Sequence, residues 1–162
     1  MAPTMSSFER GCMPKRCSMI AVMLFLGLAA PAMAQSQGVR AGISGDPDQF
    51  FFGGHFETRP IADHITFRPN VEVGIGDDLT LVAINIEFAY SFPTRRSNPW
   101  RVYVGAGPAA VIASIHDGGG TDAGGGFNIL VGAQHRQGLF GELKVGFGDS
   151  PQVKVAVGYA FK

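Results

Sequence analysis

The chain has 162 residues, and its 13 lysines and arginines are balanced by 13 aspartates and glutamates, so the formal net charge is zero. Hydrophobic residues make up 46% of the sequence and charged residues 16%. With no basic excess, and no basic cluster beyond the first 34 residues, the sequence argues against nucleic acid as a partner.

The amino end predicts a secretory signal peptide over residues 1–34. Lys15 and Arg16 precede an apolar run at 19–30, and the small-residue site Ala32, Met33, Ala34 follows it. A membrane-spanning helix, the alternative interpretation, would need about 20 apolar residues. We expect cleavage after Ala34, which leaves residues 35–162 as one mature domain.

Both cysteines, Cys12 and Cys17, lie in this leader. Neither follows the apolar run, where a lipid-attachment cysteine would be expected, which argues against a lipoprotein. An exported domain without cysteine must be stabilised by burial and hydrogen bonding instead of disulfides. A start at Met13 instead of Met1 would shorten the leader and leave the mature domain unchanged.

The mature sequence predicts eight β-strands and no helix, because apolar and polar residues alternate with a period of two. The predicted strands are Gly38 to Ser44, Gln49 to Thr58, Ile65 to Gly76, Leu79 to Phe92, Trp100 to Ile115, Gly125 to His135, Leu139 to Gly148 and Gln152 to Phe161. Turn-forming clusters such as "GDPD", "PTRRSNP" and "HDGGGTDAG" separate them. Pro69 and Pro108 fall inside strands, where we expect bulges or strand ends. The pattern predicts an all-β fold, an eight-stranded antiparallel up-and-down barrel whose closure removes exposed edges.

The two faces of these strands differ in a way that indicates which one meets lipid. One face is apolar and uncharged, for example Ile84, Ile86 and Phe88 in the fourth strand. The opposite face combines glycine and alanine with a few large polar residues, as a narrow, side-chain-filled interior requires. Its charged members are predicted to form a paired network in the lumen: Arg40, Glu57, Arg68, Glu72, Glu87, Arg101, Glu142, Lys144 and Lys154. The alternative interpretation is a soluble barrel with these charges on its outer surface.

Aromatic residues gather near strand ends, among them Tyr90, Phe92, Trp100, Tyr159 and Phe161, as in an interfacial girdle. With the leader, the eight alternating strands, the cysteine-free mature chain and the terminal "VAVGYAFK", the sequence resembles small bacterial outer-membrane barrels, similar to the OmpA transmembrane domain and OmpX-type proteins. The resemblance implies a monomer in the cell outer membrane, surrounded by lipid and lipopolysaccharide and inserted by the barrel-assembly machinery. That family ends on an aromatic residue, whereas here Lys162 follows Phe161.

If both termini are periplasmic, as the resemblance implies, the barrel has an acidic outer end and a basic inner end. The predicted acidic rim consists of Asp46, Asp48, Asp77, Asp78, Asp117, Asp122 and Asp149. Carboxylates suit divalent cations among lipopolysaccharide phosphates, although aspartate and glycine also favour turns for conformational reasons alone. The inner connections hold Arg59, His64, Arg95, Arg96 and Arg136, and Asp63 is their only acid.

The functional prediction is a structural, surface-interaction or very restricted permeation role, with no catalytic site, cofactor or resident metal site. A wide porin is excluded because open channels need around sixteen strands. One alternative is a lipid A-modifying enzyme with Ser114, His116 and Asp117 as its hydrolytic set, although histidine precedes serine in the lipid A deacylase pattern. The other is a secreted soluble barrel that binds a small apolar ligand.

Overall fold

The computed structural model describes residues 34–77, 79–115 and 120–161, and these form eight β-strands. The strands are β1 Ala34–Gly45, β2 Gln49–Thr58, β3 Ile65–Ile75, β4 Leu79–Ser91, β5 Trp100–Ile115, β6 Thr121–His135, β7 Leu139–Gly148 and β8 Val153–Phe161. The predicted signal peptide lies outside the described residues, apart from Ala34, where β1 begins. Among the described residues, no helix is long and apolar enough to cross a membrane.

The strands form a closed antiparallel barrel in sequence order, which confirms the predicted fold class. β1 closes the sheet by pairing with β8 from Gln37↔Phe161 to Gly45↔Val153. Every strand is therefore paired on both sides, and no sheet edge remains within the described barrel. The ladder of β1 with β2 has one register shift, between Ala34 and Ser36.

Because the hairpins alternate, the connections fall into two sets at opposite ends of the barrel. The acidic end carries the turns β1–β2, β3–β4, β5–β6 and β7–β8. The basic end carries the turns β2–β3, β4–β5 and β6–β7 together with Ala34 and Phe161, the first and last described residues.

Burial alternates along each strand in step with the sequence pattern. In β8, for example, Val153, Val155 and Val157 are exposed, whereas Lys154 and Ala156 between them are buried. The charged face therefore points into the barrel and the apolar face points outward. This arrangement is the inverse of a soluble barrel, which has its apolar face inside.

Two strands are longer than the sequence predicts. β1 begins at Ala34 instead of Gly38, and β6 begins at Thr121 instead of Gly125. Residues Thr121 to Gly124 pair with Val111 to Ser114 of β5. The residues Thr, Asp, Ala and Gly there are small or polar and show no alternation, so pairing with β5 decides their conformation.

The expectation for the two strand prolines is only partly right. At Pro69 the β2–β3 ladder stops after His55↔Asn70, because proline has no amide hydrogen to donate, yet β3 continues and stays in register with β4. Pro108 pairs with Phe127 inside a continuous β5–β6 ladder. The β4–β5 register is also the same before and after it, at Asn85↔Ala109 and Phe88↔Ala106. Pro108 is therefore neither a bulge nor a strand end.

Candidate functional site

The lumen contains a network of ion pairs that joins all nine charged residues predicted to line it. Arg40 contacts Glu72 and Glu142, at 3.3 and 2.8 Å. Lys144 contacts Glu72 at 2.9 Å and Glu87 at 2.7 Å. The remaining pairs are Lys154–Glu72 at 2.7 Å, Arg68–Glu142 at 2.9 Å, Arg68–Glu57 at 3.8 Å and Arg101–Glu57 at 3.0 Å. Each charge has at least one opposite partner, which is the condition for tolerating charges away from bulk water.

Two glutamates are the branching points of this network. Glu72 in β3 accepts from Arg40, Lys144 and Lys154. Glu142 in β7 accepts from Arg40 and also from the Tyr103 hydroxyl, at 2.7 Å. The strands that supply these side chains are not all neighbours, so the network links opposite walls of the barrel.

Arg101 differs from the other eight members of the network because it lies at the basic end. It is the second residue of β5, and its side chain is 42% exposed, whereas Glu57 beside it is buried. Its guanidinium also donates to the Gln134 side chain. Arg101 therefore separates the closed lumen from solvent at this end.

A chain of side-chain amides continues the network across the barrel. Asn128 donates to Asn85 at 2.8 Å, Asn85 donates to Asn70 at 2.7 Å, and Asn70 donates to Glu87 at 2.8 Å. All four side chains are buried. Sequence alternation places these asparagines on the inner face, but their contact across three strands depends on register and could not be predicted.

Three lumen rings each lie over a glycine on the neighbouring strand. His55 faces Gly38, Tyr103 faces Gly132 and Phe140 faces Gly158, and each is a directly opposed pair in its ladder. A Cβ on any of these glycines would meet the facing ring. Glycine thus makes room for a large side chain inside a narrow barrel.

The lumen also holds apolar residues that the sequence prediction left out: Phe51, Leu81, Val111, Leu130 and Phe140. The aromatic rings among them lie close to cationic side chains. The Arg40 guanidinium lies 5.5 Å from the Phe140 ring centroid and Lys154 Nζ lies 5.8 Å from that of Phe51. The inner face therefore also carries large apolar side chains, beside the small and polar residues that the sequence predicts.

His55 is the most isolated polar group of the described lumen. It is 1% exposed and packs edge-on against Phe140 at 5.1 Å, and neither ring nitrogen has a hydrogen-bond partner among the described residues. It completes the packing without joining the ion-pair network.

The aspartates of the predicted acidic rim serve mainly in local structure where they are described. Asp149 accepts from the Gly125 amide at 3.0 Å, and Asp46 accepts from the Gln152 side chain. Asp122 lies in β6 and not in a turn, which corrects the prediction, and it accepts from the Ala123 amide at 2.9 Å. Asp48 and Asp77 flank one shallow pocket, and Asp78 and Asp117 lie outside the described residues. Within the described ranges, no group of three or more His, Cys, Asp or Glu side chains could hold a metal ion.

Of the three residues in the alternative hydrolytic set, Ser114 alone lies among the described residues. Ser114 is exposed in β5 and pairs with Thr80 and Thr121. His116 and Asp117, its predicted partners, lie outside the described residues.

Solved structures show where else this fold occurs. The chain is similar to the N-terminal β-barrel domain of Pseudomonas aeruginosa OprF, with 18% identity, a TM-score of 0.57 and coverage of 80% of this chain and 99% of that one. It is similar to Neisserial surface protein A, with 15% identity, a TM-score of 0.56 and coverage of 78% and 94%. It is also similar to the outer membrane enzyme PagL, with 10% identity, a TM-score of 0.51 and coverage of 78% and 99%.

The chain matches no protein-family model and no curated protein sequence. At these low identities the structural likeness defines the fold, which is that of a small, OmpA-like eight-stranded outer-membrane barrel.

Proposed function

We propose that the protein is an integral outer-membrane barrel, exported by its amino-terminal leader. The observation that carries this proposal is the outward apolar surface. Large hydrophobic side chains face outward on all eight strands, and Ile43 and Val157 are 64% and 63% exposed. Soluble monomers rarely expose contiguous apolar patches of more than a few hundred Å².

The aromatic residues support the same placement. Tyr90, Phe92, Trp100, Tyr159 and Phe161 are all exposed near the basic end. Neighbouring rings pack against one another, with centroids 5.4 Å apart for Tyr90–Phe92 and 5.2 Å apart for Tyr159–Phe161. Belts of this kind occur where a barrel crosses the membrane–water interface.

The filled lumen supports a structural or surface-interaction role with very restricted permeation. Lys144 and Glu87 are 1% and 0% exposed and pair at 2.7 Å in the barrel interior. The same filling disfavours a soluble carrier of a small apolar ligand, because charged side chains occupy the space that such a ligand would need. The similarity of the fold to that of the outer membrane enzyme PagL supports an enzymatic role. Of the two, we favour the non-enzymatic role.

Several partners follow from this placement and remain predictions. They are outer-membrane lipid and lipopolysaccharide around the barrel, the assembly machinery that inserts it, and divalent cations at the acidic rim. We propose that the protein acts as a monomer, since each strand already has both of its neighbours.

Expression of the full chain followed by density-gradient separation of the membranes tests the location. The protein should appear in the outer-membrane fraction and migrate differently on gels before and after heating, as folded membrane barrels do. A matched chain that begins at Gln35 should stay in the cytoplasm. Recovery of the full chain as a soluble periplasmic protein would refute the proposal.

A further inference from the structure

A cavity of about 770 Å³ opens at the basic end of the barrel. The turns β2–β3, β4–β5 and β6–β7 surround it, and its walls reach the lumen residues Glu57, Thr66 and Gln134. Arg101 and Glu57, which pair at 3.0 Å, both line it. Its volume is within the range of small-molecule sites.

The charge of this cavity is strongly one-sided. Four arginines line it, namely Arg95, Arg96, Arg101 and Arg136, and among the described residues Glu57 is its one carboxylate. Glu57 already contacts Arg101 and, at 3.8 Å, Arg68. Within the described part of the chain, no carboxylate pairs with Arg95 or Arg96. Arg95 and Arg96 therefore bring positive charge to the cavity that no described carboxylate balances, in contrast to the paired charges of the lumen.

The loop that carries Arg95 and Arg96 is held in place by hydrogen bonds. The Asn98 amide donates to the Arg95 carbonyl at 2.9 Å, and the Trp100 amide donates to Asn98 Oδ1 at 3.0 Å. From the β6–β7 turn, the Arg136 amide donates to the Pro99 carbonyl at 2.9 Å, and its guanidinium donates to the Arg96 carbonyl. The backbone of the loop is therefore held from Arg95 to Trp100, which lowers the cost of ordering the arginines around a ligand.

We infer that this cavity binds a compact phosphate-bearing anion. Guanidinium groups bind phosphate oxygens through paired N–H donors, and adjacent arginines suit a ligand with more than one negative charge. Phe92 and Trp100, with prolines 93 and 99, give the cavity an apolar wall for the remainder of such a ligand. The phosphate belongs either to a soluble phosphorylated compound or to the headgroup of a lipid at this end of the barrel.

Trp100 provides a direct signal for the test, because it lines the cavity and is the single tryptophan of the chain. The purified protein in a neutral detergent is titrated with inorganic pyrophosphate while the Trp100 emission is followed. We expect a saturable change in emission for the parent protein. The double variant R95Q/R96Q should bind at least about tenfold more weakly, because charge-assisted hydrogen bonds are lost. Calorimetric titration of the same samples gives a second measurement.

The matched control is Arg59→Gln, which removes one charge from an exposed residue at the same end that does not line the cavity. It should bind pyrophosphate as the parent does. Sodium chloride at matched ionic strength should not change the emission saturably. If chloride reproduces the change, or R59Q weakens binding as much as the double variant, general electrostatics explains the signal and the inference is wrong.

A second arm identifies the source of the phosphate. The parent and R95Q/R96Q proteins are reconstituted in phosphatidylcholine vesicles with and without phosphatidylglycerol. An emission change that requires phosphatidylglycerol and is lost in the double variant assigns the site to a lipid headgroup, whereas saturation by pyrophosphate in detergent assigns it to a soluble phosphate compound. A saturable response in neither arm would overturn the inference. The detergent arm does not depend on the proposed membrane location.

Discussion

Arg40 in β1 and Glu142 in β7 are 102 positions apart in the sequence, yet Arg40 Nη1 lies 2.8 Å from Glu142 Oε2. Strand β8 separates the two strands, so the contact reaches past a neighbour through the barrel interior. Both side chains are 0% exposed. Because both are shielded from water, each depends on the other to offset its desolvation.

The first expected outcome concerns this pair. Glu142→Gln keeps the size of the side chain but removes the negative charge that Arg40 and Arg68 share. We expect a loss of about 3 to 5 kcal/mol in the free energy of unfolding, because two buried ion pairs are broken and the buried network is left with one excess positive charge. Urea unfolding of the barrel in lipid vesicles measures it.

The control for this variant is Arg101→Gln at the basic end. That side chain is 42% exposed, so its contact with Glu57 is solvent-screened and should contribute no more than about 1 kcal/mol. If the two variants lose equal stability, the buried network does not stabilise the barrel more than an exposed ion pair does.

Strand number, topology and face assignment follow from the sequence, because they depend on local alternation. In β4, for instance, Ile86 and Phe88 are exposed and Glu87 is buried, as the pattern indicates. The sequence predicts which charged residues face the lumen for the same reason. The sequence does not predict which glutamate pairs with which base. Glu72, for example, contacts residues of β1, β7 and β8, and their positions depend on barrel closure and strand register.

The sequence does not predict several other features of the structure, because they leave no periodic pattern in it. Phe140 and Leu130 are apolar residues on a mostly polar face, and each is opposed by a glycine in one of its ladders, Gly158 and Gly105 respectively. The start of β6 at Thr121 depends on pairing with Ser114. The basic cavity combines three separate turns, so the sequence shows its arginines but not the space between them.

The glycines under the lumen rings give the second expected outcome. In Gly158→Ala the new Cβ would meet the Phe140 ring and the Val39 carbonyl, and the carbonyl is backbone that cannot turn away. We expect a loss of about 1 to 3 kcal/mol, as for other overpacked interiors. Urea unfolding of the refolded variant measures the change.

Gly54→Ala is the matched control, because Gly54 also lies in a strand but is exposed. Its new Cβ would have the Gly38 carbonyl oxygen as nearest neighbour at 3.6 Å, an ordinary contact. It should leave stability unchanged or raise it slightly. Equal losses in both variants would point to a general effect of alanine on strand geometry and not to the Phe140 contact.

The outward face gives the third expected outcome. Val155 is 47% exposed in the middle of β8. An arginine on the lipid face near the midplane costs roughly 2 to 4 kcal/mol in membrane barrels. We therefore expect Val155→Arg to lower the unfolding free energy in vesicles by that amount, whereas a soluble barrel would accept the same charge without loss.

Ser97→Arg is the control for added charge, because it adds the same side chain to an exposed turn. It should unfold like the parent. An inward variant such as Ala156→Arg is unsuitable, because Ala156 is 1% exposed and has no space for a long side chain. If Val155→Arg is as stable as Ser97→Arg, the apolar face does not contact lipid.

The filled lumen gives the last expected outcome, which concerns conduction. In planar bilayers the parent protein should show no large, stable current, because Lys144, Glu87, Asn85 and Asn128 are fully buried across its interior. The double variant Lys144→Ala with Glu87→Ala removes one charge of each sign and leaves a cavity. It should conduct small ions measurably better than the parent, while R59Q at the basic end should not. Its current should stay well below that of a wide porin, since open channels need around sixteen strands and this barrel has eight. A steady porin-sized current from the parent would show that the side chains seen in the lumen do not close it.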